Sequence, residues 1–282
     1  MWNGSSRRWA EVARIVHPRT DVDRKPGIGP RLADVNIAVW HALAFACFIL
    51  FWWLMSAVVG RGFLPSPRDT LKAGVGMLDD GSLHVAVMQS VFSLLGGYAA
   101  AALVAIPTGL MMGGVRVVGA VMEPYVDALS AMPRVAFLPL IIVFLGLGYE
   151  AKIFMVFIGA VMPILINTYA GVLQSDRELI EMARSAGADE ITIFRKIVLP
   201  GAMPYIMTGL RVGASLALIN TVVAELYTAV SGLGGLLSIY GNSFRMAPYF
   251  VIVVILAAMG MALTYAVRLL ERRVMRWRIN GS

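Results

Sequence analysis

Six runs of apolar residues, each long enough to cross a bilayer, dominate the sequence: roughly 37–59, 86–113, 117–146, 152–174, 202–229 and 248–270. A helix needs about 20 apolar residues to span the hydrocarbon core. At that depth every backbone N–H and C=O must find its partner inside the protein, which a helix achieves within one segment. The chain is therefore expected to be an all-α membrane protein of about six transmembrane helices. Composition agrees, with 59% of residues apolar and only 15% charged, against about 25% charged in a soluble domain. Six spans take about 120 residues of the 282. What remains is tails, loops and one modest insertion, with no room for a separate soluble catalytic domain.

Charge orients these spans. The formal net charge is +7, and 20 of the 24 basic residues are arginine. On a soluble domain such a balance points to nucleic acid; on a multi-span chain it marks the cytoplasmic side. With the N-terminus inside, segments 1–36, 114–116, 175–201 and 271–282 hold sixteen Lys and Arg residues. Five lie outside: Arg61, Arg68, Lys72, Lys152 and Arg245. Both termini are expected in the cytoplasm, and no nucleic-acid partner is expected. Residues 1–36 carry Pro18, Pro26, Gly27, Gly29 and Pro30 and lack the pattern of a cleaved signal peptide, so they read as a retained cytoplasmic tail. The transmembrane domain then covers 37–276, and 277–282 form a C-terminal tail. One cysteine, Cys47, and three scattered histidines (His17, His41, His84) give neither a disulfide framework nor a metal site.

Ionisable residues inside spans are costly and mark functional candidates. The third span is the least regular: Met132-Pro133-Arg134 and Pro139 interrupt it, and interior prolines remove backbone donors and kink helices. Such backbone is tolerated at membrane depth only against protein or a water-filled cavity, so Arg134 is a candidate pathway residue. Arg211 either pairs with a carboxylate or lines the pathway. Glu225, near the flexible segment Ser231-Gly-Leu-Gly-Gly235, serves gating or a helix–helix contact. Asn167 and Asn220 are placed to hydrogen-bond across helices. Glu123 and Asp127 share a helix face one turn apart and are expected where water reaches them. Small residues in the second span (Gly96, Gly97, Ala99 to Ala102, Gly109, Gly113) fit close helix packing. Trp40, Trp52, Trp53, Tyr227, Tyr249 and Trp277 fit interfacial belts.

The most informative stretch is the polar loop 175–200. Ser175-Asp-Arg-Glu178 reads as a capping box opening a helix. Gly187 ends that helix in a left-handed conformation. Asp189 caps a second short helix carrying Ile191, Phe194, Ile197 and Val198, and Leu199-Pro200 closes it. Two short helices with a glycine elbow, on the basic face, make either a docking surface or an amphipathic loop resting on the membrane.

The spacing Glu181-x-Ala183-x3-Gly187-x9-Ile197-x-Leu199-Pro200 resembles the EAA loop of binding-protein-dependent ABC importer permeases. Met182 stands where that family usually has alanine. The resemblance extends over about 85–276. Met132-Pro133-Arg134-Val-Ala136-Phe-Leu-Pro139-Leu140, Phe144-Leu-Gly146-Leu-Gly148, Asn167-Thr168 with Gly171, and Ala224-Glu225 with Gly232-Leu-Gly234 resemble the nitrate/sulfonate/taurine branch. The resemblance implies a type I ABC importer permease fold in a bacterial inner membrane and a non-catalytic role. It implies a coupling loop in which Glu181, Ala183, Gly187, Asp189, Phe194, Ile197, Leu199 and Pro200 meet an ATPase. Candidate pathway or gating residues are Arg134, Arg211, Asn220 and Glu225. Implied partners are a second permease copy, two ATPase subunits that bind ATP and Mg, an extracytoplasmic binding protein, and the lipid bilayer. The implied substrate is a small anion such as a sulfonate, taurine, nitrate or bicarbonate.

An absence in the sequence agrees. None of the four lysines (Lys25, Lys72, Lys152, Lys196) follows a glycine-rich phosphate loop, so no Walker A motif is present and no nucleotide cofactor is expected in this chain. The alternative is a carrier or channel driven by an ion gradient, which commonly shows inverted repeats; no two-half repeat is visible. An intramembrane enzyme would need a metal cluster or a Ser/His constellation that the sequence lacks.

Overall fold

The computed structural model describes residues 37–228 and 231–275, all helices and connections. The tails 1–36 and 277–282, with Trp277, lie outside the described residues. Helix α1 (Ile37–Val59) is a single apolar run. Helix α2 (Pro67–Asp79) follows it, outside the expected spans. Its start is set locally: Ser66 Oγ accepts the Asp69 N–H at 3.2 Å and donates to the Asp69 carboxylate at 2.8 Å, and Pro67 occupies the first turn. The hydroxyl holds the Asp69 carboxyl below the usual carboxylate range.

Helices α3 (Ser82–Gly114), α6 (Tyr149–Leu173) and α9 (Leu199–Thr228) form the centre of the bundle, with α6 lying against both others. Their seams are built on absent side chains. A Cβ on Gly97 would fall 2.5 Å from the Ile153 carbonyl oxygen, and one on Gly109 would fall 2.8 Å from that of Leu165. A Cβ on Gly113 would collide with Val172. On the other side of α6, Gly171 faces Tyr205, and Gly209 and Gly213 face Ile164. Ala101, Ala105, Ala160, Ala202, Ala214 and Ala217 complete these contacts, each fully buried. In a membrane, helices gain little from hiding apolar surface from lipid, so close approach through small residues drives association.

The seams also give direction. Going from Gly97 to Gly113 along α3, the facing residues on α6 advance from Ile153 to Val172, so α3 and α6 run the same way. Going from Gly171 back to Gly159 along α6, the facing residues on α9 advance from Ala202 to Asn220, so α9 runs opposite. The chain between α3 and α6 must therefore return across the full thickness. Among the described residues five helices are long and apolar enough to cross alone, and 116–145, a broken pair bent by 85°, is the segment that covers this return.

The sequence foresaw that irregularity but not its extent. Helix α4 (Arg116–Ala131) stops because Pro133 forces Met132 into an extended conformation (φ −71°, ψ 134°). A short 3₁₀ turn, Arg134–Phe137, follows, and Pro139 then sits in the first turn of α5 (Leu138–Leu145).

Two connections correct the sequence reading. The segment from Ser231 to Gly235 is not a free loop: α10 (Leu233–Asn242) begins inside it, and Gly232, Leu233, Gly234 and Gly235 are buried. Glycine here gives close approach to a neighbouring helix rather than mobility. The outer connections therefore include two helices, α2 and α10, where loops and one modest insertion were expected. Helix α11 (Met246–Val274) closes the bundle antiparallel to α9, with Gly260 against Leu218.

Gly109→Val should push α3 off α6 and lower stability by about 1–3 kcal/mol, read as a drop in detergent melting temperature. Leu103→Ala, at an exposed position of the same helix, should leave it unchanged.

Candidate functional site

The loop between α6 and α9 is built from its sequence in a legible way. Helix α7 (Arg177–Ser185) is capped by Asp176, whose carboxylate accepts the N–H groups of Glu178 (2.9 Å) and Leu179 (3.3 Å). This corrects the expected cap by one residue. Ser175 Oγ is buried against the bundle and makes no hydrogen bond, while Asp176 is exposed and its charge favours the positive helix end. At the other end Gly187 adopts φ +81°, donates to the Arg184 carbonyl at 2.9 Å, and lets Ala188 N–H reach the Ala183 carbonyl at 3.0 Å. That is a Schellman closure, in which the left-handed residue is normally glycine. Arg184 and Glu190 pair across the elbow at 2.9 and 3.1 Å.

Asp189 stands at the start of α8 (Glu190–Ile193), where Thr192 donates its hydroxyl to the carboxylate at 2.5 Å and keeps that carboxyl below its ordinary range. The expected stop at Leu199-Pro200 does not occur. A π turn, Phe194–Val198, carries the chain straight into α9, so Glu190–Thr228 is one run of 39 residues. Pro200 follows the π turn, where Leu199 N–H reaches back to the Phe194 carbonyl, so its missing N–H falls at the irregular point of the run. At 1.5 Å per residue that run is about 58 Å long, well beyond an apolar core of about 30 Å.

The loop residues divide by face. Ala183, Phe194, Ile197 and Leu199 pack on the main core, and Pro200 is half-buried; they seat the loop. A cleft of about 320 Å³ remains under it, lined by Gly113, Gly114, Ile180 and Phe194 among others. Glu181, Gly187 and Asp189 are exposed. Beside them the surface carries Leu179 (47% exposed), Met182 (65%) and Ile191 (64%). The sequence reading put Ile191 on its helix and Met182 in the loop as a departure from the family's alanine, without counting Leu179 or Ile191 among the coupling residues. Helical spacing is the signal, because 180 and 183 turn inward while 179 and 182 turn out.

Within the spans the polar candidates each have a partner. Arg134 Nη1 donates to the Gly159 carbonyl at 3.2 Å. Pro163, four residues on in α6, has no N–H to offer that carbonyl, so the guanidinium of the broken span fills the place. Arg211 pairs with Glu271 of α11. Asn167 and Asn220 do not bond across helices; their amides donate to Pro163 (2.7 Å) and Leu216 (2.8 Å), each one turn back in its own helix. Asn220 still fills a seam, lying directly over Gly159. Glu123 and Asp127 are exposed, on one face of α4.

At the far end of α9, Glu225 is 0% exposed. Its carboxylate accepts Ser90 Oγ at 2.8 Å to each oxygen and the Gly234 N–H at 2.9 Å. The contacts around it join α3, α9 and α10.

The described residues are all helix and connections, with several helices long and apolar enough to cross a membrane and a seated amphipathic helix at one end of α6 and α9, the build of a multi-span membrane protein. The comparisons give the family. Residues 105–276 match the model of the binding-protein-dependent transport system inner membrane component, and the chain belongs to that family. It is 34% identical over 237 residues to a probable ABC transporter permease of Brucella melitensis, covering 84% of this chain and 96% of that protein. It is also 34% identical over 232 residues to the protein named putative aliphatic sulfonates transport permease SsuC of Escherichia coli, covering 81% and 88%. An inward-facing structure of the MetNI methionine ABC transporter shares the fold, with TM-score 0.58 at 20% identity, covering 67% of this chain and 94% of that one. The chain is thus an ABC transporter permease subunit whose ATP hydrolysis belongs to a separate ATPase. Membership removes the ion-gradient carrier.

Replacing Arg134 by Met leaves a buried carbonyl unpaired, a cost of about 1–3 kcal/mol. Pro163→Ala restores an N–H at that place. Stability of the double variant, measured as detergent melting, should therefore exceed the sum expected from the two single variants.

Proposed function

We propose that this permease works as a homodimer in a bacterial inner membrane and imports a small anion, of the sulfonate or taurine class, delivered by an extracytoplasmic binding protein. Two ATPase subunits, holding ATP and Mg, bind the loops between α6 and α9 on the cytoplasmic side. Six crossings make half a pathway, and the second copy supplies the other half. Basic residues clustered at the loop end support this sidedness, and the sulfonate relative supports the substrate class.

The observation that carries the coupling role is the split surface of α7 and α8. Their inward residues fix the loop to the bundle, while Leu179, Met182 and Ile191 stand exposed beside Glu181. Apolar side chains at hydrated positions suit a partner's groove. Glu181, Gly187 and Asp189 set the charge and shape of this surface; Ala183, Phe194, Ile197, Leu199 and Pro200 pass its displacement to α9.

Glu181→Lys and Gly187→Pro should each reduce ATP-driven uptake of an alkanesulfonate by about tenfold or more while membrane insertion stays unchanged. Gly187→Pro removes an N–H donor and requires φ near −65° where the chain holds +81°. Normal uptake by both variants would refute the coupling role. Uptake by the permease alone, in liposomes without ATPase, would refute the ATP-driven reading.

A further inference from the structure

We propose that Glu225 is a positioning residue of the transport cycle, which latches the start of α10 to the outer end of α9 so that the two move together. This rests on the coupling role proposed above for the loop between α6 and α9. It adds the element at the opposite membrane face that receives the motion.

The start of α10 is held in an unusual way. Gly232 is its N-cap and supplies no side chain. The N–H groups that open a helix have no intrahelical partner, and here three successive ones are taken by neighbouring helices. Gly232 N–H donates to Gln89 Oε1 at 2.8 Å, Leu233 N–H to Ser90 Oγ at 2.8 Å, and Gly234 N–H to Glu225 Oε2 at 2.9 Å. Ser90 Oγ also donates to Glu225, so α3, α9 and α10 share one connected network. On the other flank Lys152 of α6, 1% exposed, donates to the Ser231 carbonyl at 3.0 Å and to its hydroxyl.

Geometry leaves this segment no slack. A Cβ on Gly232 would overlap the Glu225 carboxyl group, and one on Gly234 would lie 2.6 Å from Glu225 Cβ and 2.8 Å from the Val222 carbonyl oxygen. Both glycines therefore press directly on the last turns of α9. A buried carboxylate is expensive at this depth, and apolar packing would fasten two helices at lower cost. What the carboxylate adds is directed hold on a helix N-terminus, whose partial positive charge it meets.

Helix α9 is the member able to transmit. Its run begins at the elbow of the docking loop and continues to Glu225, with the π turn at Phe194–Val198 as its point of irregularity. Movement of the loop swings α9, and the latch obliges α10 to follow. Beside α10 lies a cleft of about 460 Å³, lined by Asp80, Gln89, Ser231, Gly232, Leu236 and Ile239. Its walls belong partly to α10 and partly to the α2–α3 turn, so displacement of α10 alters the cleft.

The test uses the permease–ATPase complex with its binding protein in proteoliposomes and an alkanesulfonate as probe. Glu225→Ala and, more mildly, Gln89→Ala should cut uptake by about tenfold and about threefold, while basal ATP hydrolysis stays within about twofold. Glu225→Gln, which keeps an acceptor for Gly234 N–H, should recover part of the uptake. A reporter separates the latch from general damage. Leu233→Cys, at a buried site, is placed in a Cys47→Ser background, since Cys47 is exposed. Its labelling by a membrane-impermeant maleimide should rise about tenfold when Glu225→Ala or Gln89→Ala is added. Wild-type uptake by both latch variants, or unchanged labelling in both, overturns the proposal. If Glu225→Ala does not insert, the same readouts on Gln89→Ala decide. Failure of the unmodified complex to take up any probe with ATP would instead strike the reading of the preceding section.

Discussion

Backbone-to-backbone approach along α6 is the constraint on which the remaining structure depends. Gly97 and Gly109 bring α3 to within contact of the α6 main chain, and Gly209 and Gly213 do the same from α9. Once three helices lie that close, their order and directions follow, and the segment 116–145 has to recross whatever its local geometry. This is why an 85° break is tolerated in the third crossing. The break does not have to hold the bundle together, because the seams on either side of it already do. What it supplies is Arg134, whose guanidinium takes the Gly159 carbonyl that Pro163 leaves unpaired in α6.

The sequence was most legible where a single physical rule acts over a short distance. Apolar length located the spans to within a few residues, and Gly187 was readable as a helix end because a left-handed closure excludes most side chains. The EAA spacing identified the family that the comparisons bear out. Legibility failed where two rules compete at adjacent positions. Ser175 and Asp176 are both good caps, and only packing decides that Ser175 is buried and Asp176 free to serve. Pro200 looked like a terminator, yet the chain passes it by way of a π turn just before it. The glycines of 231–235 looked mobile, since sequence alone does not distinguish a glycine that moves from one pressed against Glu225.

A related asymmetry separates the two ends of α9. At the loop end the helix is extended by α8 and a π turn, with Ile191 exposed there beside Leu179 and Met182 of α7. At the far end it terminates in a buried, fully hydrogen-bonded carboxylate. The first arrangement is open and adaptable, suited to a partner that binds and releases. The second is closed and directional. Between them the helix keeps small residues on the seam (Ala202, Gly209, Gly213, Ala217, Ala224), which fixes its contacts with α6 through geometry rather than through interlocked large side chains.

The intramembrane charges support a final step about selectivity. Arg134 is held by a backbone carbonyl, Arg211 by Glu271, Lys152 by Ser231, and Glu225 by Ser90 and Gly234. Each meets a need of the fold: a carbonyl released by proline, a charge opposite, a segment start, a helix N-terminus. A charge engaged in this way has reduced freedom to reorganise around a substrate, because leaving its partner would expose a second buried polar group. Redirecting these groups to a substrate within one chain is therefore costly. Lys152 and Glu225, the two buried charges among the described residues, are thereby committed to fixing helix positions, which is the property a subunit driven by an external ATPase needs most.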